Sequence, residues 1–165
     1  MIRTATDADV VALQSFATAL LAEQLPGIFR REPPTLADEV EFVRSRTEPA
    51  NSTLLLAEMA GEIVGVLDFV GGTLAEEAHA GLVGVSVVAG ARGHGIGTRL
   101  IAALLAWAPT AGIRRVELRA FSSNARAIAL YKRLGFEIEG RLREALLVDG
   151  EPVDMIVLAQ LPSTR

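Results

Sequence analysis

The feature that most constrains this chain is a valine-rich run broken abruptly by alternating glycines. Val85-Ser86-Val87-Val88 leads into Ala89-Gly90-Ala91-Arg92-Gly93-His94-Gly95-Ile96-Gly97-Thr98. β-Branched residues favour an extended strand. From Ile96 onward, Ile96, Leu100, Ala103, Leu104 and Trp107 recur on one face of a helix. A strand must therefore pass through a glycine loop directly into a helix. The first helical turn carries unpaired N–H groups and the positive end of the helix dipole. Glycines let a ligand approach that backbone closely. The combination suits a phosphate or pyrophosphate, and Arg92 adds a fixed positive charge. An ordinary strand-to-helix turn uses the same residues, and the glycines alone do not separate the two readings.

Two familiar phosphate loops do not fit in detail. A P-loop ends in Gly-Lys-Ser/Thr, but Gly97 is followed by Thr98 and Arg99. A dinucleotide fingerprint starting at Gly95 needs a small third position for close helix packing, and Leu100 stands there. Glu117 falls where a ribose-binding acid would, yet in mid-strand and with no repeated βαβ unit after it.

The rest of the chain reads as alternating short elements. Residues 2–5 suggest a strand. Asp7 offers a cap for a helix with Val10, Leu13, Phe16, Ala17, Leu20 and Leu21 at helical spacing, ending near Leu25. Residues 26–34, with Pro26, Pro33 and Pro34, read as loop. Thr35 and Asp38 predict a capping box for a second helix bearing Leu36, Val40 and Val43. Residues 53–59 and 62–70 predict a hairpin around Ala60-Gly61, ended by Gly71-Gly72. The acidic residues 73–79 are expected at the surface. Residues 81–88 predict a buried strand, 96–108 a helix, 113–121 a strand, and 124–134 a helix closed by Gly135. Residues 136–142 and 153–161 predict a last hairpin around Asp149-Gly150. There is no repeat, low-complexity tract or linker, and the order predicts one three-layer α/β domain over residues 1–165.

Composition narrows the function classes. Half of the 165 residues are apolar, enough for a core without covalent staples. There is no cysteine, which removes disulfides, thiolate metal ligands and a cysteine nucleophile; no metal is expected. A net charge of −4 gives nucleic acid or anionic lipid no bulk attraction. The longest apolar run, residues 100–108, is too short to span a bilayer. Met1-Ile2-Arg3-Thr4 has no hydrophobic signal region. The expectation is a cytoplasmic protein with neither nucleic-acid nor membrane partner, holding any anionic ligand by local charge.

Arg-x-x-Gly-x-Gly at residues 92–97, entered by a strand and left by a helix, resembles the pyrophosphate loop of the GNAT superfamily of acyl-CoA N-acyltransferases. That family's second signature is an Asn followed by a helix ending in Tyr-x-x-x-Gly-Phe. Here Asn124-Ala125-Arg126-Ala127-Ile128-Ala129-Leu130-Tyr131-Lys132-Arg133-Leu134-Gly135-Phe136 matches it. Glu139-Gly140-Arg141-Leu142-Arg143, Asp149-Gly150 and Asp154-Met155 are similar to the branch containing bacterial amino-acid and small-amine N-acetyltransferases. The resemblance implies a three-layer α/β (α+β) fold: a central mixed, mostly antiparallel sheet with splayed central strands and helices on both faces. It implies acetyl-CoA as donor and direct attack by the primary amine of a small molecule, an amino acid among the options, in a ternary complex. A homodimer is compatible with it. The alternatives are a non-catalytic CoA-binding sensory domain and acetylation of a protein N-terminus.

The resemblance also implies roles. Val85, Ser86 and Val87 bind the pantetheine arm through main-chain groups, with the Val85 N–H as oxyanion donor. Arg92, Gly93, His94, Gly95, Ile96, Gly97 and Thr98 cradle the pyrophosphate. Asn124, by residue type a helix N-cap, also bonds the cofactor. Arg126 reaches a phosphate or faces solvent. Tyr131, the only tyrosine, lies two turns beyond Asn124 on roughly the same face; it donates to the departing sulfur or serves as a core aromatic. The attacking amine must also lose a proton. The family often places a Glu in the central strand, but residues 81–88 contain no carboxylate. His79, just before that strand, is the expected base and Glu117 the second choice. Phe29, Arg30 and Arg31 are expected to line the acceptor site, the guanidinium groups gripping a carboxylate.

Overall fold

The computed structural model describes residues 1–25 and 32–162. Its strands are β1 (Ile2–Thr4), β2 (Thr53–Met59), β3 (Glu62–Gly71), β4 (Ala80–Val87), β5 (Arg115–Phe121), β6 (Glu137–Val148) and β7 (Glu151–Gln160). Its helices are α1 (Val10–Ala22), α2 (Leu36–Thr47), α3 (Ile96–Trp107) and α4 (Ala125–Arg133). Among the described residues the strands form one sheet in the order β1-β2-β3-β4-β5-β7-β6. Only β4 and β5 run parallel. This is the mixed, mostly antiparallel sheet that the resemblance implied.

Local chemistry explains most of the boundaries. Ala60 and Gly61 both have positive φ, 52° and 85°, as do Asp149 and Gly150, 53° and 84°. Such paired left-handed residues match the twist of a hairpin. Thr35 and Asp38 form the predicted capping box: the Thr35 Oγ1 accepts from the Asp38 N–H at 3.1 Å, and the Asp38 carboxylate accepts from the Thr35 N–H at 2.8 Å. At α1 the expectation needs correcting. Asp7 is not the cap; it begins a short 3₁₀ turn, and Val10 begins the helix. The Asp9 carboxylate accepts from the Thr6 N–H at 2.8 Å and from Arg3, which also reaches Glu58. This ion cluster ties β1, the start of α1 and β2 together. It holds the Asp9 carboxyl down at about 2, chiefly through Arg3.

The last hairpin is also longer than predicted, because a bulge breaks the alternation the prediction relied on. Register shifts between Leu142 and Leu146, and Glu144 takes φ 48°. Asp154 pins the bulge, accepting from the Glu144 N–H at 2.7 Å and Arg141 Nε at 2.6 Å.

Each face of the sheet carries helices. α3 lays Ile96, Leu100, Ile101 and Leu104 on Leu67, Phe69, Val116, Leu118 and Leu158. Leu100, Ile101 and Leu104 are fully buried, each contributing roughly 1.5–3 kcal/mol of hydrophobic stabilisation. α4 borders this layer through the half-buried Ile128 and Tyr131. On the other face α1 and α2 pack Leu13, Phe16, Leu20 and Val43 against Leu54, Leu56 and Val66.

The fold prepares a site where β4 meets β5. Their ladder covers only Ala80↔Arg115, Gly81↔Val116 and Leu82↔Glu117; beyond Leu82 the strands part. Residues 81–88 were expected to be a buried strand, yet within β4 only Val83 is buried. The valines correctly signal one apolar face, but one edge of the strand is open.

Candidate active site

The direction of β4's main-chain groups follows from its pairing with β3. The Val88 N–H donates to the Val64 carbonyl at 3.1 Å, and the Gly72 N–H to the Ala80 carbonyl at 2.9 Å. Groups alternate along an antiparallel strand, so Gly84 and Ser86 also spend theirs on β3. Val83, Val85 and Val87 point theirs toward β5, where the ladder has ended. The Val85 N–H therefore opens into the cleft, and the Val87 carbonyl accepts from Arg92 Nε at 2.8 Å. The main-chain role expected of Ser86 is corrected: its backbone faces Val66, and its side chain lines the cavities instead.

The cleft is a cavity of about 740 Å³ between β4 and β5. Val85, Ser86 and Val87 form one wall; Arg119, Ala120 and Phe121 form the other. Asn124, Ala127 and Tyr131 of α4 close it, with Met155, Leu20 and Leu25 at its margins. Asn124 caps α4, its Oδ1 accepting from the Ala127 N–H at 3.1 Å. Tyr131 is half-buried with its ring centroid 6.0 Å from that of Phe136. Burial raises its pKa above the ordinary phenol value, so it is a neutral O–H donor at physiological pH.

A second groove of about 440 Å³ continues from this cleft between α3 and α4. Gly93, Gly95, Gly97 and Thr98 line it opposite Asn124, Arg126 and Arg133, with Arg92 at the junction. Gly93 and Gly95 take φ values of 82° and 72°, which L side chains rarely adopt. A Cβ built at Gly93, Gly95 or Gly97 would meet nothing within 4 Å. The loop is thus an open cradle at a helix N-terminus, facing three arginines, and it fits the pyrophosphate of a CoA thioester. Ile96 spends its side chain in the core. His94 turns its ring back onto the Ala91 and Arg92 carbonyls. Of these two only Ile96 borders the groove.

Arg92 is not idle. Its guanidinium bonds the Glu23 carboxylate just after α1, and Glu23 also accepts from the Ala89 N–H at 2.8 Å. These bonds, led by that from Ala89, hold the Glu23 carboxyl below its usual range.

A third cavity of about 240 Å³ lies on the opposite face of β4. α1 gives it Leu13, Phe16, Ala17 and Leu20, α2 gives Asp38, Glu39 and Phe42, and the sheet gives Val66, Asp68 and Ser86. Leu20 and Ser86 belong to both this cavity and the cleft.

The structure does not bring His79 to this chemistry. It is exposed at the far end of β4, where its carbonyl accepts from the Arg114 and Arg115 N–H groups. At about 3.3 Å per residue, it lies roughly 20 Å from Val85 along the strand. Glu117 is engaged by Arg115 at 3.0 Å and Arg119 at 3.1 Å. Phe29, Arg30 and Arg31 lie outside the described residues. Sequence reasoning missed Arg119, Phe121, Met155, Glu23 and Asp68, which no local motif marks. Arg133 was within reach, being two turns from Arg126 on the same face of α4.

The family model described as the acetyltransferase (GNAT) family matches residues 16–136. An L-methionine sulfoximine/L-methionine sulfone acetyltransferase of Pseudomonas aeruginosa is 32% identical over 117 residues, 70% of this chain and 67% of that one. An L-amino acid N-acetyltransferase of Escherichia coli is 31% identical over 108 residues, 65% of this chain and 67% of that one. A solved acetyltransferase structure from Salmonella typhimurium, with its cofactor acetyl-CoA, superposes with a TM-score of 0.88 at 20% identity, covering 99% of this chain and 94% of that one. Among the described residues no helix is long and apolar enough to cross a membrane. The chain belongs to the GNAT family of N-acetyltransferases, which move the acetyl group of acetyl-CoA onto an amine.

Proposed function

We propose that this enzyme acetylates the α-amino group of a small amino acid in the cytoplasm, by direct attack within a ternary complex. The observation that carries the reading is the open edge of β4: the Val85 N–H faces a cleft that Tyr131 of α4 helps to close. In this reading the thioester carbonyl lies against the Val85 N–H, which stabilises the oxygen as negative charge develops. Tyr131 donates its O–H to the sulfur as the C–S bond breaks. The glycine cradle and Arg92, Arg126 and Arg133 hold the pyrophosphate. The cavity beneath α1 and α2, which shares Leu20 and Ser86 with the wall of the cleft, holds the acceptor. The named substrates of the two relatives support an amino-acid acceptor.

The test is turnover of acetyl-CoA with a panel: L-methionine sulfone, L-methionine sulfoximine, the common amino acids, spermidine, an aminoglycoside and a peptide with N-terminal alanine. An amino acid or its sulfone analogue is expected to give the highest kcat/KM. Higher kcat/KM with spermidine or the peptide would overturn the amino-acid assignment. CoA binding without turnover of any amine would favour the sensory-domain alternative.

A further inference from the structure

We propose that Asp68 on β3 is the catalytic residue that takes the proton from the attacking amine. The proposal rests on the acetyltransferase reading and supplies the base which His79 and Glu117 are badly placed to be. Asp68 pairs with Gly84 in the β3–β4 ladder, and its side chain leans across onto β4. A Cβ at Gly84 would stand 2.8 Å from Asp68 Oδ1. The carboxylate thus occupies the space that Gly84 leaves empty, beside the residue whose N–H opens into the cleft. It lines the acceptor cavity together with Ser86, the wall shared with the cleft. An amine seated there approaches the acetyl group from the α1 and α2 face and meets Asp68 on the way.

The carboxylate also keeps the capacity for this work. Its cationic partner, Arg46 of α2, stands 3.7 Å away, beyond a good hydrogen bond. Buried Arg46 Nε has no hydrogen-bond partner, while another guanidinium nitrogen is engaged by Ser45 and the group sits 4.5 Å over the Phe42 ring. The pair is therefore an open one, unlike the arginine bonds that hold Glu117. Burial raises the Asp68 carboxyl above its ordinary range despite Arg46, which makes it a better base. The other ionisable groups around the cavity are Asp38 and Glu39 of α2; α1 brings only apolar side chains.

The substrate ammonium gives one proton to Asp68, directly or through a water, and the freed nitrogen lone pair forms the N–C bond. The carbonyl electrons move to oxygen and return as the C–S bond breaks. Tyr131 gives its proton to sulfur, and the nitrogen's second proton returns to the phenolate through solvent. Asp68 then releases its proton to water, leaving an amide and CoA thiol.

The test uses L-methionine sulfone as acceptor, with hydroxylamine as a nucleophile already unprotonated at neutral pH. Asp68→Asn is expected to lower kcat/KM for the sulfone by ~10²–10⁴-fold at pH 7, with acetyl-CoA affinity unchanged by calorimetry. The loss should shrink about tenfold per pH unit on raising the pH, because free amine then forms in solution, and hydroxylamine should lose less than tenfold. Gly84→Ala is the second variant. It keeps the carboxylate and backbone but displaces the flexible Asp68 side chain, and it should reproduce the loss in milder form. Equal losses for both nucleophiles at every pH would assign Asp68 a packing role and overturn the proposal. So would sulfone turnover within threefold of wild type in Asp68→Asn. Wild-type protein that binds acetyl-CoA but acetylates neither nucleophile would overturn both this assignment and the acetyltransferase reading beneath it.

Discussion

The groove between α3 and α4 and the cavity beneath α1 and α2 flank the same strand but are built from different materials. The groove is made of backbone: glycines with no side chain to obstruct, a helix N-terminus and a few arginines. The cavity is made of side chains drawn from α1, α2, β3 and β4. A backbone cradle suits what all ligands of one class share, in the proposed function the pyrophosphate of a CoA thioester. A side-chain cavity binds what distinguishes one acceptor from another. In the proposed reaction the chemistry is divided accordingly, with Val85 N–H and Tyr131 on the donor side and the acceptor's amine entering from the other.

The most severe way to break this division is Gly95→Asp. The position is left-handed and open to the groove. Asp tolerates that backbone better than most residues, so the fold should survive with a carboxylate aimed where the pyrophosphate belongs. Acetyl-CoA affinity should fall by at least ~100-fold, about 2.7 kcal/mol, measured by calorimetry on protein whose circular dichroism is unchanged. Unaltered affinity would mean that the glycine loop is only a turn and that the cofactor is held elsewhere.

The two regions were unequally legible before the structure, for the same reason that they differ in build. Arg92, Gly93, Gly95 and Gly97 are adjacent in the chain because a turn and a helix start are local objects. Asn124 and Tyr131 share one short helix, so their spacing alone put them on one face. Asp68 acquires its place only because β3 pairs with β4 in a register that sets it against Gly84. Glu23 meets Arg92 only through tertiary packing. His79 was chosen for residue type and nearness in sequence to β4, but an extended strand carries that nearness away from the cleft. The valine run was likewise read as a buried strand, and only Val83 of β4 is buried, since composition does not record where a ladder stops.

A smaller perturbation sharpens the comparison within the donor side. Tyr131→Phe removes a hydroxyl that makes no hydrogen bond to other described residues, while the ring keeps its packing against Phe136. Affinity for acetyl-CoA should stay within about twofold, and kcat should fall by ~10²-fold or more, the usual worth of acid assistance. If kcat stays within about twofold of wild type, Tyr131 is a core aromatic and the leaving sulfur needs no help from it.

The smallest effect is expected where the two regions touch, at Glu23. Its carboxylate, at the end of the acceptor-side helix α1, already occupies the Ala89 N–H and the guanidinium of Arg92, which borders the cofactor groove. If the pyrophosphate binds as proposed, Glu23 competes with it for the same positive charge. Glu23→Gln keeps the shape and an acceptor oxygen but removes the negative charge, so acetyl-CoA should bind about two- to fivefold more tightly at low salt. The gain should fade as ionic strength rises, because the Debye length contracts to ~8 Å near 0.15 M. Stability should move the other way. The folded-state pKa of Glu23 is depressed, so its contribution is present above the ordinary glutamate pKa of ~4.3 and is lost as pH falls through the folded value. Wild type should melt above Glu23→Gln at pH 7, and the gap should close in acid. Weaker acetyl-CoA binding by Glu23→Gln would reverse the assignment: Glu23 would then hold Arg92 ready for the phosphate, and the two regions would cooperate in loading the donor.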